Sequence, residues 1–468
     1  MRFLAAKMFF SGLVCLLLSN NSGWSQSTFL TIRHIEVSGN VKTKKFVILQ
    51  ELDFKEGDSI RFEDLSAVML KNNGRLESLN LFTKSNINIK NWDSTHNFID
   101  IYITVQENWY IYPYPILELA DRNFNVWRKE FNYSIDRLNY GIGLKHINLT
   151  GRNDALSLKL HGGYTSKYEF VYEYPNVFKR WGLSANVLYA TNKEFGYISK
   201  DNILNFYKYE GEKPIFTQLK ARIGIQNRSS IYIFQKFSLG FTMAKIGEAF
   251  DIQLNPNYFA PNQKKLSILD VEYIIKADKT TYPLYPTNGI RGEFVFKHEG
   301  FSDEVQTTAL SMSLETFAPL MKNLFLSNGL HFKFNAQSKP IPYYLYKGIG
   351  YSKYSILGYQ LYVMEAKDFV VLNNALTYKV LNFDHRFKNW MPRQFKTFNL
   401  KSFVKFGFDV GYANDPYFGE INPLSNNVQY GYGPGVDFIL YNIATISVSY
   451  GINKLGQKAW YFEALMSF

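Results

Sequence analysis

From Trp109 to the C-terminus, apolar and polar residues alternate with a period of two. Leu156, Leu158 and Leu160 alternate with Ser157, Lys159 and His161, and Phe294 and Phe296 with Glu293 and Lys297. Val404, Phe406, Phe408, Val410 and Tyr412 alternate with Lys405, Gly407, Asp409 and Gly411, and Ile446, Val448, Tyr450 and Ile452 do the same further on. Successive strand side chains point to opposite faces, so each run predicts a strand with one apolar and one polar face. A water-soluble sandwich and a membrane barrel share that pattern. The membrane reading is favoured by runs of about 10 residues, the length a tilted strand needs to cross a bilayer. Aromatics crowd the run ends, and the chain finishes on a strand, Ala459–Phe468, with Trp460, Phe462, Ala464, Met466 and Phe468 on one face. An apolar face on that scale would aggregate in water. Seventeen runs qualify as strands. The weakest, Ile203–Tyr209, is flanked by charges and is assigned to an outer loop, which leaves an even sixteen.

The first hundred residues follow other rules. Residues 1–25 have a basic start (Arg2, Lys7), an apolar core (Met8–Leu18) and small residues before Gln26, the pattern of a secretory signal. Phe29–Glu107 mixes periods: a strand over Leu30–Val37, a helix over Lys44–Leu52 with Thr43 as its N-cap, and a second helix over Glu63–Leu79. Strands follow over Phe82–Lys90 and Phe98–Glu107. The order is β-α-α-β-β. No stretch of 18 apolar residues exists, so no transmembrane helix is expected.

Composition sharpens this picture. Of 468 residues 17% are aromatic, only 20% are charged, and the net charge is +12. The basic residues are scattered rather than clustered, which fits acidic lipid headgroups or a polar lumen better than nucleic acid. The sole cysteine, Cys15, lies in the leader, so the mature chain has neither disulfides nor cysteine metal sites. The seven histidines lack metal-ligand spacing, and nucleophile-elbow, P-loop and zincin motifs are absent. No cofactor and no catalysis are expected.

Ser338–Tyr359 breaks the alternation. It is long for a connection and carries six tyrosines with Leu345, Ile349 and Ile356, so it needs a place to bury its rings. The barrel interior is the candidate.

The N-terminal unit resembles a POTRA domain, through Ile35-Glu-Val-Ser-Gly-Asn40, the Glu51…Glu56-Gly-Asp58 pair and Leu76…Leu81-Phe82. The barrel resembles the BamA/TamA-type outer-membrane assembly superfamily, which includes two-partner secretion translocators. That resemblance is carried by Asn148-Leu-Thr-Gly-Arg152, by Asp278…Tyr285-Pro-Thr-Asn-Gly289, and by two late motifs. Ile356-Leu357-Gly358-Tyr359 stands where the family has Val-Arg-Gly-Phe/Tyr at the tip of its sixth outer loop, and Gly407-Phe-Asp409-Val-Gly411 matches a lumen motif on a late strand. In the family the loop arginine reaches that aspartate. Leu357 occupies its place here and cannot make a charge-assisted bond. Asp409 is therefore expected to pair with Lys405, two residues back on the same face, or with Lys353.

The resemblance implies a signal peptide (1–25), one POTRA domain (27–108) and a 16-stranded transmembrane β-barrel (109–468), in a bacterial outer membrane with the POTRA domain in the periplasm. It implies a protein that inserts or translocates others through POTRA strand augmentation and a lateral seam. The alternatives are a dedicated secretion pore for one partner, or a passive channel or structural barrel. Expected partners are client outer-membrane or secreted proteins and outer-membrane lipids, with periplasmic chaperones or accessory lipoproteins as further candidates. Pro113 and Pro115 on the first strand and Phe468 on the last mark the seam. Cysteines at Leu117 and Glu463 would report whether it pairs.

Overall fold

The computed structural model describes residues 29–466, apart from 80, 179, 282–283, 303, 338, 352–353, 388–396 and 442–443. The leader, Lys353 and Phe468 lie outside the described residues. Two compact units meet between Asn108 and Trp109.

The first unit contains β1 (Phe29–Ser38), α1 (Lys45–Leu49), β2 (Ser59–Arg61), α2 (Leu65–Ser78), β3 (Phe82–Asp93) and β4 (Phe98–Glu107). Its sheet runs β2-β1-β4-β3, with β1 and β4 parallel. β1 buries Leu30 and Ile32 and then Ile35, because a register shift between Ile32 and His34 reverses the parity of the inward face. Ile99, Ile101 and Ile103 of β4 and Val47, Ile48, Met69 and Leu76 of the helices are buried as well. Each such side chain contributes about 2 kcal/mol. Two expectations need correction. The three-residue β2 was missed, being too short to show alternation. Lys44, not Thr43, holds the N-cap position of α1, with no side-chain cap bond, while Thr43 is buried.

The second unit is one antiparallel sheet of sixteen strands, adjacent in chain order except where β9 pairs with β12. They are β5 (Ile111–Leu119), β6 (Leu138–Ile147), β7 (Ala155–Gly163), β8 (Thr165–Phe178), β9 (Trp181–Asn192), β12 (Phe216–Asn227), β13 (Ile233–Ile246) and β14 (Lys265–Asp278). There follow β15 (Gly289–Glu299), β16 (Thr307–Met321), β17 (Leu324–Asn335), β18 (Asp368–Arg386), β19 (Thr397–Asn414), β20 (Gln429–Leu440), β21 (Ala444–Asn453) and β22 (Lys458–Met466). The alternation reads directly onto this sheet. Val404, Phe406 and Phe408 stand exposed on the outside, whereas Lys405, Asp409 and Glu463 line an interior cavity. An outer face of exposed Leu, Ile, Phe and Trp requires lipid, and the fold is a transmembrane β-barrel. Among the described residues no helix is long and apolar enough to cross a membrane.

Strand direction defines two rims: a near rim where the chain enters at Trp109 and a far rim where odd-numbered connections lie. The far rim carries the long connections, 120–137, 193–215, 247–264, 336–367 and 415–428. Within 193–215, β10 (Glu194–Lys200) pairs with β11 (Ile203–Lys208) as a separate two-stranded sheet. The segment set aside from the barrel count is thus a strand, but not a barrel strand. Its turn residue Asn202 is fully buried, donating to Val363 O at 3.0 Å and accepting from Leu424 N at 2.9 Å. Phe195, Phe216, Phe250, Tyr258, Phe259 and Tyr343 form one buried cluster there, so the far-rim connections share a core.

Candidate functional site

The long aromatic connection, 336–367, does find its burial site in the barrel. Tyr343, Tyr346, Ile349, Ile356 and Tyr359 are buried, and Ile349, Ile356 and Tyr359 pack with Phe369 and Val371 of β18 and Ala413 of β19. Its tip meets the lumen motif as the two sequences implied, but through the backbone. Leu357 N donates to Asp409 Oδ2 at 2.9 Å, and Asn373 Nδ2 donates to Ser355 O at 3.1 Å. A carboxylate bonded by a main-chain amide is still charge-assisted, so Asp409 has a partner without an arginine.

The glycines explain how the loop comes so close. A Cβ at Gly411 would crowd Ile356 Cδ1 at 2.6 Å, and one at Gly407 would touch Leu357 Cδ2 at 3.4 Å. At Gly431 of β20 it would overlap the Leu357 carbonyl oxygen outright. Gly358 turns the tip with φ +88°. Its carbonyl accepts from Asn453 Nδ2 and from Tyr461 OH of β22, both at 3.0 Å, while Tyr359 OH donates to Gln429 Oε1 at 2.8 Å. Four residues thereby touch β18, β19, β20, β21 and β22. Beneath them lies a cavity of about 310 Å³, lined among others by Glu315, His331, Lys405, Asp409 and Glu463.

The expected pairing of Asp409 with Lys405 is corrected. Lys405 Nζ lies 2.7 Å from Asp437 Oδ1, on the neighbouring β20, and Tyr285 OH donates to Asp437 Oδ2 at 2.7 Å. Lys405 has a nearly buried carboxylate in reach across the ladder, whereas Asp409 is occupied by the loop amide. The alternative partner, Lys353, lies outside the described residues. Tyr285 belongs to the mid-barrel motif that carried the resemblance, and this bond gives that motif a physical task.

Several site residues had not been singled out. Arg122, between β5 and β6, donates through Nη1 to Gly350 O (3.0 Å) and Tyr362 O (3.1 Å), and through Nη2 to Leu361 O (2.9 Å). Asn123 Nδ2 adds a bond to Gln360 O at 2.7 Å. The loop has an arginine after all, supplied from outside it. Nothing in the sequence around Arg122 announces a contact more than two hundred residues away. Gly431 was legible, since Gly431, Gly433 and Gly435 repeat at the lumen-face spacing of Gly407 and Gly411.

The ends of the sheet form the second half of the site. β5 pairs only with β6, β22 only with β21, and no ladder joins β5 to β22 among the described residues. Parity shows which backbone groups face the gap. Ile147 N donates to Tyr110 O and Ala120 N to Arg137 O, so even-numbered residues of β5 turn their backbone groups to β6 and odd-numbered ones turn theirs to the gap. Pro113 and Pro115 lie within β5, not in a linker before it, and both face the gap. Having no N–H, they remove two donors from the only side where β22 could pair. On β22, Asn453 N donates to Gln457 O, so the odd-numbered residues face β21 and Trp460, Phe462 and Ala464 face the gap. Phe468 lies outside the described residues. The cysteine pair Leu117 and Glu463 is unsuitable as a reporter: Leu117 is 73% exposed on the outer face, whereas Glu463 lines the lumen cavity.

Among the described residues no group of three or more His, Cys, Asp or Glu is placed to hold a metal ion.

Comparison with known proteins bears on the fold. Residues 30–108 match the POTRA family model, described as a surface antigen variable number repeat. The chain is similar to the structure of BamA from Haemophilus ducreyi lacking POTRA domains 1–3, at 13% identity and TM-score 0.57, covering 94% of this chain and 85% of that one. It is also similar to CdiB from Acinetobacter baumannii (12%, 0.54, 94% and 74%) and CdiB from Escherichia coli (11%, 0.56, 93% and 76%). No curated protein sequence matches. At these identities the likeness is one of fold: a single POTRA domain followed by the BamA-type sixteen-stranded barrel.

Proposed function

We propose that this chain, which has the POTRA-plus-barrel architecture of the BamA/TamA-type superfamily, sits in a bacterial outer membrane with its POTRA domain in the periplasm and hands other proteins into that membrane. The observation that carries this reading is the seam. Among the described residues fifteen of the sixteen strand boundaries are laddered, while the boundary between β5 and β22 is not, and β5 presents two prolines to it. An unladdered edge offers backbone donors and acceptors to an extended segment, which is the physical basis of β-augmentation. The outer edge of β3 in the first unit offers a second such template, since β3 ends its sheet. The process needs no catalytic step or cofactor, only exchange of one strand partner for another.

The likeness to CdiB keeps a dedicated secretion pore as the second reading. The far-rim core favours insertion over it, because Tyr343 and its aromatic neighbours pack the far-rim connections into one buried cluster rather than leaving them apart. A passive channel is disfavoured for the same reason. Depletion of the protein followed by a census of outer-membrane and exported proteins separates the three. Broad loss of outer-membrane barrels is expected. Loss of a single exported protein would establish the pore, and an unchanged census would overturn both.

A further inference from the structure

The segment that leaves β5 touches both halves of the site. From Asp121 to Lys129 it runs across the seam at the far rim, and it contains α3 (Phe124–Lys129), whose N-cap Asn123 accepts from Asn125 N and Val126 N. A helix of six residues does not hold itself together, so its contacts determine whether it stays. One set of contacts goes to the loop: Arg122 and Asn123 bond the carbonyls of Gly350, Gln360, Leu361 and Tyr362. The other set goes to the last strand. Arg128 Nη2 donates to Trp460 O at 3.1 Å, its guanidinium lies 6.0 Å from the centre of the Phe462 ring, and Phe124 meets that ring edge-on at 5.7 Å. Trp460 is one of the residues whose backbone faces the gap, so Arg128 occupies an acceptor that a ladder partner would otherwise use. Arg137 pins the base of the segment to Asp121 and Glu194.

We infer that residues 121–129 form a latch that couples the seating of the 336–367 loop to the availability of the β22 edge. With the loop seated on Asp409, its carbonyls hold Arg122, α3 stays across the seam, and Trp460 O is covered. When the loop lifts, Arg122 loses three acceptors together, α3 loses its anchor, and the edge opens to an incoming strand. The latch is built to release. Asn125 is fully buried and neither side-chain amide atom has a hydrogen-bond partner among the described residues, a deficit that unseating the helix repairs by returning the amide to water. As regulation of the seam, the latch rests on the reading of that seam as a client edge. The coupling itself is measurable without any client.

The test is hydrogen exchange followed by mass spectrometry on the full chain in lipid nanodiscs, comparing the parent with Arg122→Ala and Arg128→Ala. Arg122→Ala removes hydrogen bonds to the loop and none to β22, yet is expected to speed exchange across 458–466 by roughly tenfold. Arg128→Ala touches only β22, yet is expected to speed exchange across 354–362. If each variant loosens only its own contact, the latch is overturned. Should Arg122→Ala fail to fold, Arg122→Lys keeps the charge but loses the fork, and exchange between the parent and Arg128→Ala values is expected; parent-like exchange at 458–466 counts against the latch. Coupled exchange with an unchanged protein census on depletion would leave the latch standing and remove the insertase reading. Uncoupled exchange with a reduced census would do the reverse.

Discussion

The wall at β18 and β19 and the seam between β5 and β22 are made of similar strands and behave as opposites. Along the wall the ladder runs from Asp368↔Asn414 to Arg386↔Thr397 with a bulge at Val380, and the glycines face inward to admit the loop. Along the seam the ladder is missing, prolines replace donors, and side chains from α3 stand in for a strand. The same loop tip touches both, through Leu357 N on Asp409 and Gly358 O on Tyr461. A barrel can thus keep one boundary open because its loop and latch brace that boundary from inside and above.

The largest effect is expected from closing the space on the wall side. Gly431→Val would drive a side chain into the Leu357 carbonyl, and the loop would have to leave. Thermal unfolding in detergent is expected to show a loss of at least about 3 kcal/mol, or failure to reach the heat-resistant folded form on gels. A Gly431→Val barrel as stable as the parent would mean that loop seating does not brace the wall.

Next in size is the loop's anchor. Asp409→Ala removes a charged acceptor from a buried amide and is expected to cost about 2 kcal/mol, with Asp409→Asn costing less than half of that. Lys405→Ala is expected to be additive with Asp409→Ala and coupled to Asp437→Ala, because the ion pair joins 405 to 437. A double-mutant cycle with the opposite pattern would restore the pairing anticipated from the sequence.

That anticipated pairing shows where the sequence can be read and where it cannot. Period-two alternation supplied the sixteen strands and their faces, because a bilayer enforces it on every strand. The loop and its need for burial were legible from ring content, and its meeting with Gly407-Phe-Asp409-Val-Gly411 was implied by the family resemblance. Its chemical bond was not. Spacing on one strand suggested Lys405 for Asp409, but which of several lumen carboxylates a lysine reaches depends on register between strands, and only the ladder placed Asp437 beside it. Arg122 and α3 were illegible for a related reason, since six residues carry no period and their partners lie far along the chain.

A smaller effect sharpens the seam. Pro113→Val with Pro115→Val returns two donors to the open edge of β5. If β22 can then pair, the barrel gains about 1 kcal/mol in thermal unfolding and client handling falls. An unchanged melting temperature would mean that the prolines do not limit pairing.

The smallest effect concerns pH. Glu365, in the loop beyond the strands, is fully buried and accepts from Tyr343 OH at 2.6 Å and from Tyr351 OH, with the Lys347 ammonium facing it. Burial pushes its carboxyl above the usual range, while Lys347 and the hydroxyls of Tyr343, Tyr351 and Ser199 oppose that push. The folded state therefore holds this proton more tightly than the unfolded chain, whose carboxyl titrates at about 4.3. Stability from this group is full below that value and is lost as pH rises through the raised folded value. Glu365→Gln removes this dependence, so the variant is expected to lose less stability than the parent as pH rises above the unfolded carboxyl value. Parallel stability curves would show that Glu365 keeps an ordinary affinity for its proton.

The central claim is that the barrel is laddered everywhere except between its first and last strands. Residue-resolved amide exchange by NMR on the unmodified protein in nanodiscs tests it most directly, because parity makes the prediction residue by residue. Amides of Tyr461 and Glu463, which face β21, should be protected as strongly as those of β19, whereas amides of Trp460, Phe462 and Ala464, which face the gap, should exchange at least roughly a hundredfold faster. Uniform protection across both sets would mean that β22 is paired on both sides, and the seam would not exist.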